Sequence, residues 1–175
     1  HGNYLCFALR RWKGFEEKAP LFGAAAEYAY RTYGLTPVFV AVEKHLDPGA
    51  GQLAARGLTI PHYFLDDAGG AGTIIGALSR MQAVVSMRLH ALIFAAGQGN
   101  PLAGVVYDPK VSAFLRYIGQ EQFVDLAELT GQNLCAMMDQ CVAQAAHPEA
   151  QAAAVRNLQA MEQKNVEVAR RLLKG

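Results

Sequence analysis

Residues 83–97 read Ala-Val-Val-Ser-Met-Arg-Leu-His-Ala-Leu-Ile-Phe-Ala-Ala-Gly, and this stretch decides the fold. The apolar run at 83–85 predicts a buried strand, and the spacing of apolar residues at 89–97 predicts a helix. Arg88 and His90 stand where the strand gives way to the helix. The start of a helix favours a bound anion, because its first backbone N–H groups are free and its dipole is positive there. We therefore expect a phosphate or a carboxylate to bind at this junction.

Short strands alternate with helices along most of the chain. Strands are predicted at residues 4–9, 37–42, 58–60, 83–86 and 102–107. Helices are predicted at residues 21–33, 47–57, 73–81 and 89–97, with another that begins at Pro109 after Asp108 as its N-cap. Such alternation is typical of βαβ units, which form a parallel sheet with right-handed crossovers.

The predicted fold class is therefore α/β, a Rossmann-like parallel sheet flanked by helices, with a helical C-terminal tail. Beyond Phe123 and Val124 we expect helices only, one over residues 125–146 and a long last one that ends near Leu173. The expected division is a Rossmann-like core at 1–124 and C-terminal helices of the same domain at 125–175.

Composition excludes several classes of protein. The chain has 175 residues, enough for one domain with a sizeable core. Its net charge of +1 leaves no basic footprint for nucleic acid. No apolar run approaches the roughly 18 residues of a membrane span. Its three cysteines lack the spacing of metal ligands, so we expect buried, inert thiols in a reducing compartment and no metal site.

Five polar side chains follow predicted strands at the sheet edge where open parallel sheets bind ligands. They are Arg10 after the first strand, Arg88 and His90 after the fourth, and Asp108 and Lys110 after the fifth. Two arginines could hold two anionic groups of one ligand in bidentate fashion. His90 could then move a proton near neutral pH.

Each of these residues also has an ordinary structural interpretation. Arg10 could be a solvated charge at a strand end, and His90 could be a core histidine bonded to a carbonyl group. Asp108 could serve only as a helix cap, and Lys110 could be a surface lysine. The segment 69–73, Gly-Gly-Ala-Gly-Thr, lacks the spacing and the lysine of a P-loop, so a flexible loop ahead of a helix explains it better.

Two motifs closely resemble the signature of the polysaccharide pyruvyl transferases. They are Met87–Ala96 and Tyr107–Val111, and Leu9–Trp12 looks like that family's strand-end arginine and tryptophan. The resemblance covers about residues 4–118. It implies that this chain is the C-terminal, donor-binding half of a GT-B-like enzyme, in which two Rossmann-like domains face each other across a cleft. The residues that match are His90 as the catalytic residue, and Arg10, Arg88, Leu89, Asp108 and Lys110 as substrate-binding residues.

The resemblance also implies a reaction. Such enzymes move a pyruvyl group from phosphoenolpyruvate onto two hydroxyls of a sugar in a cell-envelope glycan and leave a pyruvate ketal, with no metal or other cofactor. We expect a lipid-linked or nucleotide-linked acceptor, a cytoplasmic location or one at the inner face of the membrane, and little activity without the missing N-terminal domain. Two alternatives stay open: the nucleotide-sugar-binding half of a GT-B glycosyltransferase or epimerase, and a non-catalytic anion-binding module.

The last predicted helix carries one apolar face. Val155, Leu158, Met161, Val168 and Leu172 recur on it at helical spacing, opposite charged residues. In GT-B proteins such a helix commonly packs on the other domain. If the face is exposed here, it could drive the formation of a homodimer.

Overall fold

A computed structural model describes residues 2–67 and 69–173. Six strands form one parallel sheet: β1 (Tyr4–Ala8), β2 (Thr36–Val40), β3 (Tyr63–Leu65), β4 (Ala83–Ser86), β5 (Leu102–Val106) and β6 (Phe123–Asp125). Their order across the sheet is β3-β2-β1-β4-β5-β6, and every neighbouring pair is parallel. The strand order therefore reverses between β1 and β4, which makes a Rossmann-like switch point.

Helices cover both faces of the sheet. They are α1 (Phe15–Tyr33), α2 (Pro48–Ala54), α3 (Ala71–Leu78), α4 (Leu89–Gly97), α5 (Pro109–Tyr117), α6 (Gly131–Ala145) and α7 (Pro148–Leu172), with a 3-10 turn at Leu126–Glu128. Buried residues of α1, α2 and α6 share one core cluster, and those of α3, α4 and α5 share another. The sheet thus lies between two helical layers, as the α/β prediction requires.

Strand β1 shows why both faces are covered. Leu5 and Phe7 belong to the first core cluster, whereas Cys6 and Ala8 belong to the second, and all four are at most 1% exposed. Successive side chains of a strand point to opposite faces, so an uninterrupted apolar run needs a hydrophobic layer on each side. The run at residues 4–9 therefore specifies a central strand.

Helix α1 begins six residues earlier than predicted. The prediction started it at residue 21, but the helix begins at Phe15 and continues through Pro20. Proline removes one backbone hydrogen bond inside a helix. Phe15, Ala19 and Phe22 are fully buried, so packing on the sheet outweighs that loss. The helix ends as expected at Gly34, whose φ of 68° is left-handed.

One predicted strand was in the wrong place, and one strand was not predicted. The third strand was expected at 58–60, but β3 is Tyr63–Leu65, which pairs with β2 through Val38↔Tyr63. The chain beyond Val124 was expected to be helical, but Phe123–Asp125 forms β6 and α6 begins only at Gly131. Both strands have three residues and lie at the sheet edges, where pairing with a neighbour rather than local pattern defines them. The domain division at residue 124 remains a prediction.

Helix α7 divides the predicted apolar face into two parts. Val155, Leu158 and Met161 are half-buried, and Leu158 packs against the second core cluster. Val168 and Leu172 are exposed. The first half of the helix therefore belongs to the domain, and its last turns extend from it.

Candidate functional site

The register of the sheet places two predicted site residues at matching positions. Ala8 of β1 pairs with Ser86 of β4 at the end of both strands. Arg10 and Arg88 each follow two residues later, so both leave the sheet at the switch point, where open α/β sheets bind ligands. The expectation that both arginines reach one edge of the sheet is met.

Ser86 fixes the turn that carries Arg88. Its buried hydroxyl accepts a hydrogen bond from the Arg88 backbone N–H at 2.8 Å. The hydroxyl in turn donates its hydrogen to one of two carbonyl oxygens, that of Ala8 at 3.2 Å or that of Arg88 at 3.0 Å. The end of β1 and the start of α4 are thereby held together.

The Arg88 side chain is held by a buried carboxylate. Its Nε lies 3.2 Å from Asp47 Oδ2, and the exposed fractions of the two side chains are 10% and 0%. Asp47 Oδ2 also accepts hydrogen bonds from the backbone N–H groups of Val42 (3.1 Å) and Glu43 (2.8 Å). Burial is the largest influence on the pKa of Asp47 and raises it. The hydrogen bond from the Glu43 N–H and the charge of Arg88 lower this pKa by less, so the net shift is upward. Neither Nη of Arg88 makes a polar contact with another described residue, so the outer edge of the guanidinium is available to a ligand.

A cavity of about 510 Å³ opens beside this guanidinium, and we call it the Arg88 cavity. Its lining includes Arg88, His90 and Phe94, and also Lys44, Gly69 and Gly70. His90 is exposed, and its ring lies 6.3 Å from that of Phe94. The arginine and the histidine therefore face one hollow, as the sequence predicted, and His90 is not a core histidine.

Backbone groups at the start of α4 add to the attraction for an anion. Arg88 is the N-cap but makes no side-chain cap. Within the part of the chain that the structure describes, the N–H groups of Leu89 and His90 have no hydrogen-bond acceptor. A phosphate or carboxylate placed there would meet these N–H groups, the positive end of the helix dipole and the Arg88 charge together. Leu89 would contribute its main chain.

The other three predicted residues follow β1 and β5 and lie near one another. Arg10 lies over the rings of Trp12 and Tyr107, with centroid distances of 5.4 and 5.8 Å, and its Nη1 lies 3.5 Å from Tyr107 Oη. Asp108 caps α5 by accepting a hydrogen bond from the Lys110 N–H at 3.0 Å, which is the main cause that lowers the pKa of Asp108. Lys110 Nζ lies 3.2 Å from Asp108 Oδ2.

The predicted residues thus form two groups. Arg88, Leu89 and His90 border the Arg88 cavity, whereas Arg10, Asp108 and Lys110 lie around Tyr107. Asp47 lies close enough to both groups that the charges of Arg88 and Arg10 each lower its pKa. The roles assigned to the six residues remain predictions.

Three residues of the site were not expected from the sequence. Asp47 was interpreted only as the start of α2, Ser86 only as the end of β4, and Gly70 only as part of a loop. Asp47 and Arg88 are far apart in the chain, so nothing local marks the pair. A serine that ends an apolar strand just before an arginine is a weak signal that could have been used.

Two of the three cysteines match the expectation of buried thiols. Cys6 and Cys141 are buried and Cys135 is half-buried, and all three are free. Burial raises the pKa of Cys6, and raises the pKa of Cys141 to about 12. Within residues 2–67 and 69–173, no three His, Cys, Asp or Glu side chains cluster so as to hold a metal ion. None of the helices described has the length and apolarity needed to cross a bilayer.

This fold and its switch-point site define a Rossmann-like α/β domain of the kind found in GT-B glycosyltransferases. Similar solved structures include the glycosyltransferase VinC in complex with dTDP (TM-score 0.64, 16% identity, 98% of this chain and 42% of that chain). A second is the UDP-GlcNAc 2-epimerase from Neisseria meningitidis bound to UDP-GlcNAc (TM-score 0.58, 13% identity, 85% of this chain and 38% of that chain). A third is CalG4, the calicheamicin glycosyltransferase (TM-score 0.57, 16% identity, 96% of this chain and 42% of that chain). The chain spans about two fifths of the length of these proteins.

The sequence model of the polysaccharide pyruvyl transferase family matches residues 2–109. The chain belongs to this family, as the motifs at Met87–Ala96 and Tyr107–Val111 indicated. No curated protein matches the chain in sequence.

Proposed function

We propose that this chain is the donor-binding domain of a transferase that moves a pyruvyl group from phosphoenolpyruvate to two hydroxyls of a glycan sugar. The observation that carries the proposal is the Arg88 guanidinium, held by Asp47 beside the open N-terminus of α4 and a cavity of about 510 Å³. Family membership supports the reaction class. The acceptor would be a lipid-linked or nucleotide-linked precursor of a cell-envelope glycan, processed in the cytoplasm or at the inner face of the membrane.

Phosphoenolpyruvate suits this arrangement of charges. It carries a phosphate and a carboxylate, and the domain offers Arg88, Arg10 and the free N–H groups of α4 at one sheet edge. Arginine binds such groups in bidentate fashion. The exposed Lys110 is a further cation in this group, since its charge and that of Arg10 both lower the pKa of Asp108. In this proposal the two groups of side chains hold the two anionic ends of one donor.

The chemistry needs a proton donor and a stabilised leaving group. Protonation of the methylene carbon makes it a methyl group and leaves a cationic C2, which a sugar hydroxyl attacks as that hydroxyl loses its proton. The bond between C2 and the phosphate oxygen breaks, inorganic phosphate leaves, and a second hydroxyl attacks C2 with loss of its proton to close the ketal. His90 would donate the first proton and accept one from a hydroxyl. The arginines would stabilise the departing phosphate.

Replacement of His90 tests the proton-transfer step. His90→Ala in the complete enzyme is expected to lower turnover by about 10²–10⁴-fold, the usual contribution of a general acid–base. The affinity for phosphoenolpyruvate, measured by calorimetry on this chain, should change little because the ring is exposed beside the cavity. Normal turnover in this variant would remove His90 from the mechanism.

Replacement of Arg88 tests donor binding. Arg88→Lys keeps the charge next to Asp47 but loses the fork that binds an anion in bidentate fashion, so the affinity for phosphoenolpyruvate should fall about tenfold or more. Arg56→Ala removes an exposed arginine away from the cavity and serves as the control. Unchanged affinity in Arg88→Lys, with the melting temperature of the original chain, would count against the proposed donor site.

A second candidate is binding of a nucleotide sugar, since two of the similar structures hold dTDP or UDP-GlcNAc. Thermal-shift measurements with phosphoenolpyruvate, UDP-GlcNAc and dTDP would separate the two functions. We expect stabilisation by phosphoenolpyruvate alone. Stabilisation by the nucleotides alone would favour the second candidate.

A further inference from the structure

A second hollow opens beside Trp12 and Tyr107, and we call it the Trp12 cavity. It has a volume of about 820 Å³. Trp12 and Tyr107 form part of its wall, with ring centroids 5.0 Å apart and an interplanar angle of 51°. Trp12 is 47% exposed although it touches both Tyr107 and Arg10. An aromatic ring this exposed, at the edge of a hollow rather than on a convex surface, is typical of a ligand site.

From this geometry we propose that the Trp12 cavity binds the pyranose ring of the acceptor sugar. The proposal rests on the proposed function, because it assigns this domain a share in acceptor binding. The acceptor sugar, the second substrate, would thus bind apart from the anion site at the start of α4. The apolar face of a sugar ring can stack on the exposed part of the Trp12 ring, with Tyr107 beside it, while the hydroxyls at its rim need hydrogen-bond partners.

The charges around the cavity favour a neutral ligand. Four carboxylates and two amines line it: Glu17, Asp108, Asp125 and Glu128, with Lys13 and Lys18. Asp108 is engaged by Lys110 and by the cap of α5, and Lys18 Nζ donates to the Leu129 carbonyl oxygen at 2.8 Å. With Asp108 neutralised by Lys110, three carboxylates and two amines remain, so the cavity offers an anion no excess of positive charge, whereas sugar hydroxyls donate readily to carboxylate oxygens.

Three of these carboxylates are free to accept hydrogen bonds from a ligand. The Glu17, Asp125 and Glu128 carboxylates make no hydrogen bond or ion pair with any residue in the described ranges. Exposed aromatic rings next to unengaged acceptors provide both the apolar contact and the polar contacts that orient a small ligand.

The position of the cavity suits the reaction. Tyr107 contacts Arg10, which is assigned to the donor, and it also lines the Trp12 cavity. A sugar on the Trp12 side of Tyr107 is thus a neighbour of a donor held by Arg10. Transfer requires that the two substrates bind close together, because an attacking hydroxyl must come within roughly 3–3.5 Å of the donor carbon.

The chain carries a built-in reporter for this cavity, since Trp12 is its one tryptophan. The experiment titrates the intrinsic fluorescence of Trp12 with the methyl glycosides of glucose, galactose and N-acetylglucosamine, with and without saturating phosphoenolpyruvate. Sorbitol, an open-chain polyol without a ring face, is the control ligand. We expect a saturable change with at least one pyranoside, none with sorbitol, and no displacement by phosphoenolpyruvate.

Variants then separate stacking on Trp12 from general effects. Binding of the best pyranoside is measured by saturation-transfer NMR in Trp12→Ala and in Tyr63→Ala, which removes an exposed aromatic ring from the edge strand β3. We expect Trp12→Ala to weaken sugar binding about tenfold and to lower the affinity for phosphoenolpyruvate by much less, because Arg10 is the one donor residue in contact with this ring among the described residues, and Tyr63→Ala to change neither.

Each other outcome overturns the inference in a recognisable way. If phosphoenolpyruvate binds but no pyranoside affects Trp12, the acceptor subsite is absent and the donor proposal stands. If phosphoenolpyruvate displaces the sugar, the cavity belongs to the donor. If sugars bind but phosphoenolpyruvate does not, the proposed function fails and the cavity has no acceptor role.

Discussion

Loss of the Asp47 carboxylate is expected to destabilise the domain strongly. Asp47→Ala would leave the Val42 and Glu43 N–H groups and the Arg88 guanidinium without their shared acceptor. The Arg88 side chain is only 10% exposed, so water cannot replace that acceptor fully. Removing one partner of a buried ion pair costs about 3–5 kcal/mol. For a domain of this size, that corresponds to a fall in melting temperature of about 6–20 °C.

The asparagine variant separates the hydrogen bonds of Asp47 from its charge. Asp47→Asn keeps an oxygen that can accept from the two N–H groups, and places an amide NH₂ where Oδ1 has no partner. Because burial raises the pKa of Asp47, the negative charge itself adds little to folding. We therefore expect Asp47→Asn to cost about 1–2 kcal/mol, less than the alanine variant.

Urea unfolding followed by circular dichroism measures both variants, with Asp67→Asn as the control. Asp67 is an exposed acid whose distant pair with Lys44, at 3.9 Å, should contribute at most about 0.5 kcal/mol. The reasoning is refuted if Asp47→Ala costs less than about 1 kcal/mol, or if Asp47→Asn costs as much as Asp47→Ala.

The pH dependence of stability gives a further check on Asp47. Since its pKa is raised on folding, the folded state binds this proton more tightly than the unfolded state does. The contribution of Asp47 to the free energy of unfolding therefore increases as pH falls through its raised pKa towards the ordinary value of about 4. The stability difference between the original chain and Asp47→Asn should widen in favour of the original chain over that range. If that stability difference narrows instead, the pKa of Asp47 is lowered on folding rather than raised.

Two other predictions concern packing and thiol chemistry. Gly23→Ala places a methyl group 2.4 Å from a carbonyl oxygen of α2 and should lower the free energy of unfolding by about 1–3 kcal/mol. Gly76→Ala in α3 places its methyl group in open space and should raise the free energy of unfolding by about 0.5 kcal/mol. Similar midpoints of urea unfolding for the two variants would contradict this prediction. Cys135, the half-buried thiol, should react with iodoacetamide before the two buried cysteines, as followed by mass spectrometry. Equal labelling of Cys6 in the folded protein would show that β1 opens readily.

The central strands and the junction at β4 and α4 could be predicted from local pattern. Apolar runs such as 83–85 must be buried whatever surrounds them, so β1, β2, β4 and β5 lie close to their expected positions. Asp108 and Pro109 begin α5 as predicted, because a cap and a proline at the first helical position act within one turn. The placement of Arg88 and His90 at a helix start follows from the same short-range rules.

Contacts between distant segments were beyond such rules. The edge strands β3 and β6 exist because a neighbouring strand offers hydrogen bonds, and the early start of α1 depends on core packing around Phe15 and Phe22. The ion pair of Asp47 with Arg88 joins the start of α2 to the start of α4. Its partners meet only when the parallel strands align.

The sequence by itself therefore determined the α/β class, the central strands and the family, since these depend on hydrophobic periodicity and on contiguous motifs. Only the tertiary structure decided which charges are buried, which N–H groups remain free and where the two cavities open. Burial and electrostatic coupling depend on distances through space, and a linear pattern does not contain those distances before the chain is folded.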